Sequence, residues 1–149
     1  MRFEAVDRAR ARIICCMTDI GAPHLATGIA DLEAEHALQY KLLGEAERLL
    51  ESGDRAAARE VIVQLHSYSD AHFASEQVLM RLHSYPGYQA HEREHGELLQ
   101  ALENLLTNLD ADDPSRAAAS LRRWLTSHIH HSDQGFLDFM NPPTQSAGS

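Results

Sequence analysis

Residues 55–83 read RAAAREVIVQLHSYSDAHFASEQVLMRLH and contain neither proline nor glycine. Apolar residues recur in this stretch every three or four positions, a spacing that predicts one long amphipathic α-helix. The residues predicted to face the protein interior are Ile62, Leu65, Tyr68, His72, Glu76 and Leu79. Two of them, His72 and Glu76, are polar and four positions apart, so their side chains project from the same face of the helix. Burying such a pair is unfavourable without partners, so this helix indicates a polar site inside the fold.

Helices are also predicted on both sides of this stretch, over about 30–52, about 88–109 and about 114–140. The signals that separate or end them are Ser52-Gly53-Asp54, Tyr85-Pro86-Gly87, Asp113-Pro114 and Asn141-Pro142-Pro143. No stretch alternates between apolar and polar residues as a half-buried strand would. Four long helices with short connections predict an all-α fold, an up-down-up-down antiparallel four-helix bundle.

Both ends of the chain are predicted to lie outside this bundle. Residues 1–27 form an extra N-terminal segment with an amphipathic helix, the bundle occupies 28–141, and 142–149 is a disordered tail. The apolar face of the N-terminal helix would either cover one end of the bundle or make a contact between two copies. The protein is therefore expected to be a monomer or a homodimer.

Composition narrows the class of protein. The 149 residues include 13 Lys and Arg against 22 Asp and Glu, for a formal net charge of -9. Such an acidic surface repels nucleic acid and anionic lipid, so we expect neither a nucleic-acid nor a membrane partner. Cys15 and Cys16 are adjacent, which excludes a disulfide-linked secreted scaffold and favours a structural pair of reduced thiols. The apolar run at 13–17 is too short for a signal sequence or a membrane span, so we expect a cytoplasmic protein.

The chain contains ten histidines, and each predicted bundle helix has at least one on its buried face. Together with the acids beside them, the candidate metal ligands are His36, His72, Glu76, His91, His95, His128 and Asp133. At a rise of ~1.5 Å per residue, their distances from the turns place them near one level of an antiparallel bundle. Seven ligands are too many for one zinc ion, which takes about four, but they suit two ions that share the carboxylates. Imidazole and carboxylate ligands together are typical of iron.

One spacing in the last helix does not fit a regular α-helix. His128 and Asp133 are five positions apart, which on an α-helix would direct them ~140° away from each other. We therefore predict a local π-type turn near residues 128–133, a distortion often found at functional sites. His131 is better phased with His128 and is the alternative ligand if the helix is regular.

Four motifs in the bundle resemble those of the bacterial hemerythrins. They are GIADLEAEH at 28–36, Tyr68-x3-His72-Phe73-x2-Glu76-x2-Leu79-Met80, Tyr85-Pro86-x4-His91-x3-His95 and Trp124-Leu125-x2-His128-Ile129-x3-Asp133. The resemblance covers about residues 25–140 and fills all seven ligand positions in order, at the spacings of that family. It implies a non-haem di-iron protein that binds O2 reversibly and is not an enzyme.

The resemblance also implies a role for each histidine ligand. His91, His95 and His128 would complete the coordination of one iron. His36 and His72 would hold the other iron, which would keep an open position for O2. O2 would bind end-on at that position as a hydroperoxide.

The remaining roles implied by the resemblance belong to acidic and apolar residues. Glu76 and Asp133 would bridge the two irons together with an oxo or hydroxo group, and Leu125 and Phe136 would line the O2 pocket. Gln77 departs from the glutamate that is usual in the family. We expect Gln77 outside the ligand set, in contact with solvent or hydrogen-bonded to a ligand.

The function favoured by the resemblance is O2 carriage or storage, with sensing of O2, NO or redox state as the alternative. A reductase or a signalling protein would be the partner. Two rival classes remain: His91-Glu92-Arg93-Glu94-His95 matches the H-E-x-x-H motif of zinc peptidases, and ferritin-like di-iron enzymes use carboxylate-rich sites built on Glu-x-x-His. One zinc per chain would favour a peptidase, whereas two irons would favour the hemerythrin interpretation.

Overall fold

The computed structural model describes residues 29–142 apart from residue 112. The predicted N-terminal segment with Cys15 and Cys16, and the predicted tail beyond residue 142, lie outside the described residues. The helices are α1 (Ile29–Glu51), α2 (Arg55–Leu82), α3 (Tyr88–Thr107), α4 (Pro114–His128) and α5 (Gln134–Met140), with a π-helical turn at Ile129–Asp133 joining α4 to α5. No strand occurs within the described residues. The predicted all-α fold is confirmed.

The helices begin and end where the sequence supplies suitable capping groups. Asp54 precedes α2, and its carboxylate accepts a hydrogen bond from the backbone N–H of Ala57 at 3.1 Å. Asp113 does the same for α4 by accepting from the N–H of Arg116 at 2.9 Å. Such caps satisfy backbone donors that the first helical turn leaves without partners. Gly53 has a φ of 80°, which glycine adopts at little cost, and so allows the tight turn between α1 and α2.

The packing of the helices forms a four-sided antiparallel bundle. Helix α1 contacts α2 and α4, while α3 contacts the same two helices. Short turns reverse the chain between successive helices, as expected for up-down-up-down topology. The π turn and α5 continue the fourth side of the bundle beyond α4. Among the described helices, none combines the length and hydropathy needed to cross a membrane.

Two clusters of buried apolar residues fill the bundle. The main apolar cluster includes Leu43, Leu65, Leu98, Leu102, Leu121 and Leu125. The end cluster consists of Leu32, Met80 and Phe136. Along α1, and along α4 and α5, the candidate metal ligands lie between residues of the main apolar cluster and residues of the end cluster, so a polar layer divides the apolar interior.

Candidate metal centre

All seven predicted ligands lie in this polar layer and are buried. Their relative exposure runs from 0% for Glu76 to 7% for His36. Helix α1 supplies one of them, α2 and α3 supply two each, and the fourth side of the bundle supplies His128 and Asp133. The structure therefore brings together residues that are nearly a hundred positions apart in the chain.

The Asp133 carboxylate lies at the middle of the layer. Its Oδ1 atom is 2.9 Å from Nε2 of His128 and 3.0 Å from Nε2 of His91. Its Oδ2 atom is 2.9 Å from Nε2 of His36 on the neighbouring helix α1. Because the two oxygens face different histidines, this carboxylate connects the imidazoles of three helices.

Glu76 faces the second pair of histidines. Its Oε2 atom is 3.3 Å from Nε2 of His91 and 3.2 Å from Nε2 of His95. Nε2 of His95 is in turn 3.1 Å from Nε2 of His128. Together with Asp133, these side chains offer five ligand atoms that all lie within 4.8 Å of one another.

His36 and His72 form the other side of the layer. Their ring centroids are 5.0 Å apart in an edge-to-face arrangement. His36 reaches the rest of the site through Asp133, whereas Nε2 of His72 is buried without any hydrogen-bond partner. The structure thus separates two histidines from the group of five ligand atoms.

The π turn explains how Asp133 reaches this layer. The residues at Ile129–Asp133 are π-helical, and the N–H of Gln134 bonds to the carbonyl of Ile129 five positions back. The wider turn brings Asp133 onto the same face as His128. The predicted π turn is confirmed. His131, the alternative ligand, is exposed, and its Nδ1 donates to the backbone carbonyl of Ser127 at 2.8 Å instead.

Three of the histidines have a hydrogen bond at Nδ1, the ring nitrogen that faces away from the layer, and this bond orients the ring. Glu35 is 2.6 Å from Nδ1 of His72, and Glu94 is 2.7 Å from Nδ1 of His128. A protonated Nδ1 that donates to a carboxylate leaves Nε2 as the acceptor that faces the layer. Such contacts orient ligating histidines and raise their basicity. Sequence reasoning missed both glutamates, although each directly precedes a predicted ligand in the chain.

Gln77 provides the third contact of this kind. Its side-chain Nε2 atom lies 3.2 Å from Nδ1 of His95 and donates to that nitrogen when it carries no proton. With a metal on Nε2 of His95, Nδ1 would carry the proton, and the amide would turn to accept with its oxygen. Gln77 therefore stands outside the ligand set, as expected, and contacts a ligand.

Aromatic and aliphatic side chains shield the layer from water. Phe73 stacks on the His95 ring with the centroids 3.9 Å apart, and Trp124 stacks on His128 at 5.0 Å. Leu125 and Phe136 are both buried, at 2% and 1% relative exposure. However, Leu125 belongs to the main apolar cluster and Phe136 to the end cluster, so the two lie on opposite sides of the layer.

Burial and mutual contacts set the charges of the layer. Burial opposes the ionisation of Glu76, but its contacts with His91 and His95 outweigh this effect and lower the pKa of Glu76 to about 2. The pKa of Asp133 is also lowered, because contacts with three imidazoles outweigh burial. Burial lowers the pKa of His95 to about 4, whereas the two carboxylates overcome burial and raise the pKa of His91 to about 9. At neutral pH the two carboxylates are therefore anionic and His95 is neutral, whereas His91 is protonated, and a metal ion would displace the proton of His91.

The pattern of unpaired polar atoms indicates a cation site. Buried ligand atoms without a well-directed hydrogen bond are Nε2 of His36, His72 and His91, both carboxylate oxygens of Glu76, and Oδ1 of Asp133. So many unpaired atoms in one layer would be strongly unfavourable unless a metal satisfied them. Nitrogen and oxygen ligands of this kind, at 2.9 to 3.3 Å from each other, suit borderline metals such as iron. The residues therefore fit a metal centre.

Comparison with known proteins agrees with this geometry. The family model of the hemerythrin HHE cation binding domain matches residues 27–140. The chain belongs to the hemerythrin family. Its relatives include the bacteriohemerythrin of Stenotrophomonas maltophilia, which is 31% identical over 116 residues that cover 76% of each chain. Bacteriohemerythrins of Pseudomonas aeruginosa strains are 28% identical over the same share. No solved structure gives a significant match.

Membership of the hemerythrin family agrees with the surroundings of the H-E-x-x-H motif. A zinc peptidase needs the first glutamate of that motif beside the metal as a general base. Here Glu92 is exposed, and its Oε1 atom accepts a hydrogen bond of 2.7 Å from the hydroxyl of Tyr88. The second glutamate within this motif, Glu94, contacts Nδ1 of His128 and so lies on the side of that ring that faces away from the polar layer.

Proposed function

We propose that this hemerythrin-family protein holds two iron ions in its polar layer and binds O2 reversibly, as a carrier or store of O2 in the cytoplasm. The observation that carries the proposal is the buried set of five imidazoles and two carboxylates, contributed by all four sides of the bundle. A single ion would leave several of these groups buried without partners.

The ligands divide between the two proposed irons according to their contacts. His91, His95 and His128 face one position, and His36 and His72 face the other. Asp133 lies between the two groups and would contribute a carboxylate oxygen to each iron. Glu76 would hold the irons as the second carboxylate of the site. The position with two histidines would have fewer protein ligands and could accept a small ligand.

The proposed di-iron centre would supply reversible exchange of electrons with O2. Neutral imidazoles outnumber carboxylates, which makes the metal pair less electron-rich than in the carboxylate-rich ferritin-like enzymes and favours holding O2 over cleaving it. The stacked Phe73 and Trp124 rings exclude water from the layer, which slows loss of reduced oxygen species. Glu35 and Glu94 hold the His72 and His128 rings in the ligating orientation.

Cycling between anaerobic and aerobic conditions tests this proposal. The iron-loaded protein is reduced without air, O2 is admitted, and the solution is then flushed with argon. A carrier gives a charge-transfer absorption band that appears with O2 and disappears without it. Rapid, irreversible oxidation would support the alternative function, a redox or O2 sensor that acts through a separate partner. One zinc per chain, with no iron, would contradict both functions.

A further inference from the structure

A second buried polar contact lies one helical turn from the histidine layer. The side-chain amide of Gln39 on α1 donates from Nε2 to the Ser69 hydroxyl on α2 at 3.1 Å. Both residues have a relative exposure of 0%. The Oε1 atom of Gln39 has no hydrogen-bond partner. The amide therefore makes no hydrogen bond to any of the seven candidate metal ligands.

The position of the pair connects it with the two-histidine side of the layer. Gln39 follows His36 by three residues, and Ser69 precedes His72 by three. Residues three apart lie on the same face of a helix, and α1 and α2 are antiparallel, so both steps lead in the same direction. The pair therefore lies between the His36 and His72 rings and the main apolar cluster.

A polar amide is unfavourable at this place unless it binds something. A buried amide atom without a partner destabilises a fold, and a leucine of similar size would avoid this penalty. A half-turn about the last side-chain bond exchanges the nitrogen and the oxygen of the amide. The Ser69 hydroxyl both donates and accepts, so it holds Gln39 in either orientation. With Oε1 accepting from Ser69, the Nε2 group is free to donate to a third group.

We propose that Gln39, anchored by Ser69, donates a hydrogen bond to a small anionic or negatively polarised ligand that binds beside His36 and His72. This inference rests on the proposed function, because it requires a ligand position on that side of the metal centre. It makes Gln39 a specificity-determining residue that favours ligands able to accept a hydrogen bond. In wholly apolar surroundings, no hydrogen bond would stabilise the charge of such a ligand.

Azide binding to the diferric protein tests the inference. The probe is sodium azide, titrated by its charge-transfer absorbance and by the infrared stretch of the bound ion in H2O and in D2O. Gln39→Leu is expected to weaken azide binding about tenfold, the size of one hydrogen bond to a charged group. It should also remove the shift of the azide stretch between H2O and D2O. Ser69→Ala, which frees the amide, should give a smaller loss of affinity.

Controls separate this role from a structural one. Gln89→Leu makes the same change at an exposed position of α3 and should leave azide affinity unchanged. The thermal midpoint of metal-free Gln39→Leu should equal or exceed that of the wild type, because the substitution removes an unpaired buried atom. Azide affinity within twofold of the wild type, with the same isotope shift, would overturn the inference while leaving the proposed function intact. Wild-type protein that binds neither azide nor O2 would overturn both.

Discussion

Oδ1 of Asp133 lies 2.9 Å from Nε2 of His128, although five positions separate the two residues. On a regular α-helix these side chains would diverge by ~140°. The π turn at Ile129–Asp133 removes the divergence by adding one residue to a single turn. One local change in helical pitch thus places a carboxylate between His36 of α1 and His128 of α4.

Replacing His72 tests the two-histidine position. His72→Ala leaves His36 as the only imidazole there, so we expect the iron content to fall from two ions per chain towards one. The O2-dependent absorption band should disappear with the second iron. Elemental analysis and absorbance measure the two effects. His83→Ala, at an exposed residue after α2, is the control and should keep both irons. Two irons and unchanged O2 affinity in His72→Ala would contradict the assignment.

Replacing Glu94 tests the hydrogen bonds behind the ligands. In Glu94→Gln a neutral amide replaces the carboxylate that accepts from Nδ1 of His128 and from the Ser132 hydroxyl at 2.5 Å. We expect iron affinity to fall about 10- to 100-fold, the range found when such outer partners are lost. Competition with a chelator measures the change. Glu97→Gln, on the exposed face of α3, should have no effect. Equal affinities for both variants would show that Glu94 does not orient His128.

The stability of the metal-free protein should decrease towards both alkaline and acidic pH. The pKa of His91 is raised from 6.5 in the unfolded chain to about 9 in the folded protein. The protonated His91 side chain therefore stabilises the fold fully below pH 6.5, and this stabilisation is lost as the pH rises through 9. The pKa of His95 is lowered to about 4, so protonation of the unfolded chain reduces stability as the pH falls from 6.5 to 4. Loss of Glu76 ionisation, as the pH falls from 4.5 through about 2, reduces stability further. We expect the free energy of unfolding to be greatest near pH 6.5.

Urea unfolding at several pH values measures this dependence. The alkaline decrease should be of the order of 3 kcal/mol or less, since a shift of one pKa unit corresponds to about 1.4 kcal/mol. His91→Gln should make the alkaline decrease in the metal-free protein smaller, and the part that remains is due to His128, whose pKa is also raised by its contacts with Asp133 and Glu94. Bound iron should abolish the alkaline decrease, because a ligating imidazole is deprotonated throughout. A flat profile between pH 6.5 and 9 in the metal-free wild type would contradict the strong coupling of His91 to the carboxylates.

A contact between α1 and α4 should contribute only modestly to stability. The Arg122 guanidinium binds the Glu47 carboxylate through Nε at 2.8 Å and Nη2 at 2.6 Å. The side chains are 37% and 20% exposed, so solvent weakens their attraction. Glu47→Gln should lower the free energy of unfolding by about 1 kcal/mol or less, and by less still in high salt. Glu51→Gln, at an exposed residue of α1, is the control. A loss of several kcal/mol would show that the pair acts as a buried ion pair.

The sequence predicts the helices and the height of each ligand along the bundle, because both depend on distances along the chain. Turn residues set the helix ends, and equal distances from a turn place residues of antiparallel helices at equal height. The side-chain direction at the far end of a long helix is harder to predict. Near the end of α2, Met80 is fully buried, whereas the predicted Leu79 is half-buried, since small errors in phase add up over many turns.

Contacts that depend on side-chain conformation could not be predicted in this way. Glu35 and Glu94 directly precede predicted ligands, so their sequence positions place them on a neighbouring face of the helix. The contacts that they make with histidine rings of other helices follow only from the structure. Leu125 precedes His128 by three residues and Phe136 follows Asp133 by three, so the two belong to different apolar clusters on either side of the ligands, and their place at an O2 pocket stays a prediction. The lone unpaired amide atom of Gln39 becomes visible only when its partner on α2 is known.

X-ray diffraction from crystals of the iron-loaded protein, measured at the iron absorption edge, tests the di-iron site most directly. We predict two anomalous peaks within the polar layer, one among His91, His95 and His128 and the other beside His36 and His72, with Asp133 between them. A single peak, or no peak among these side chains, would contradict the proposed centre.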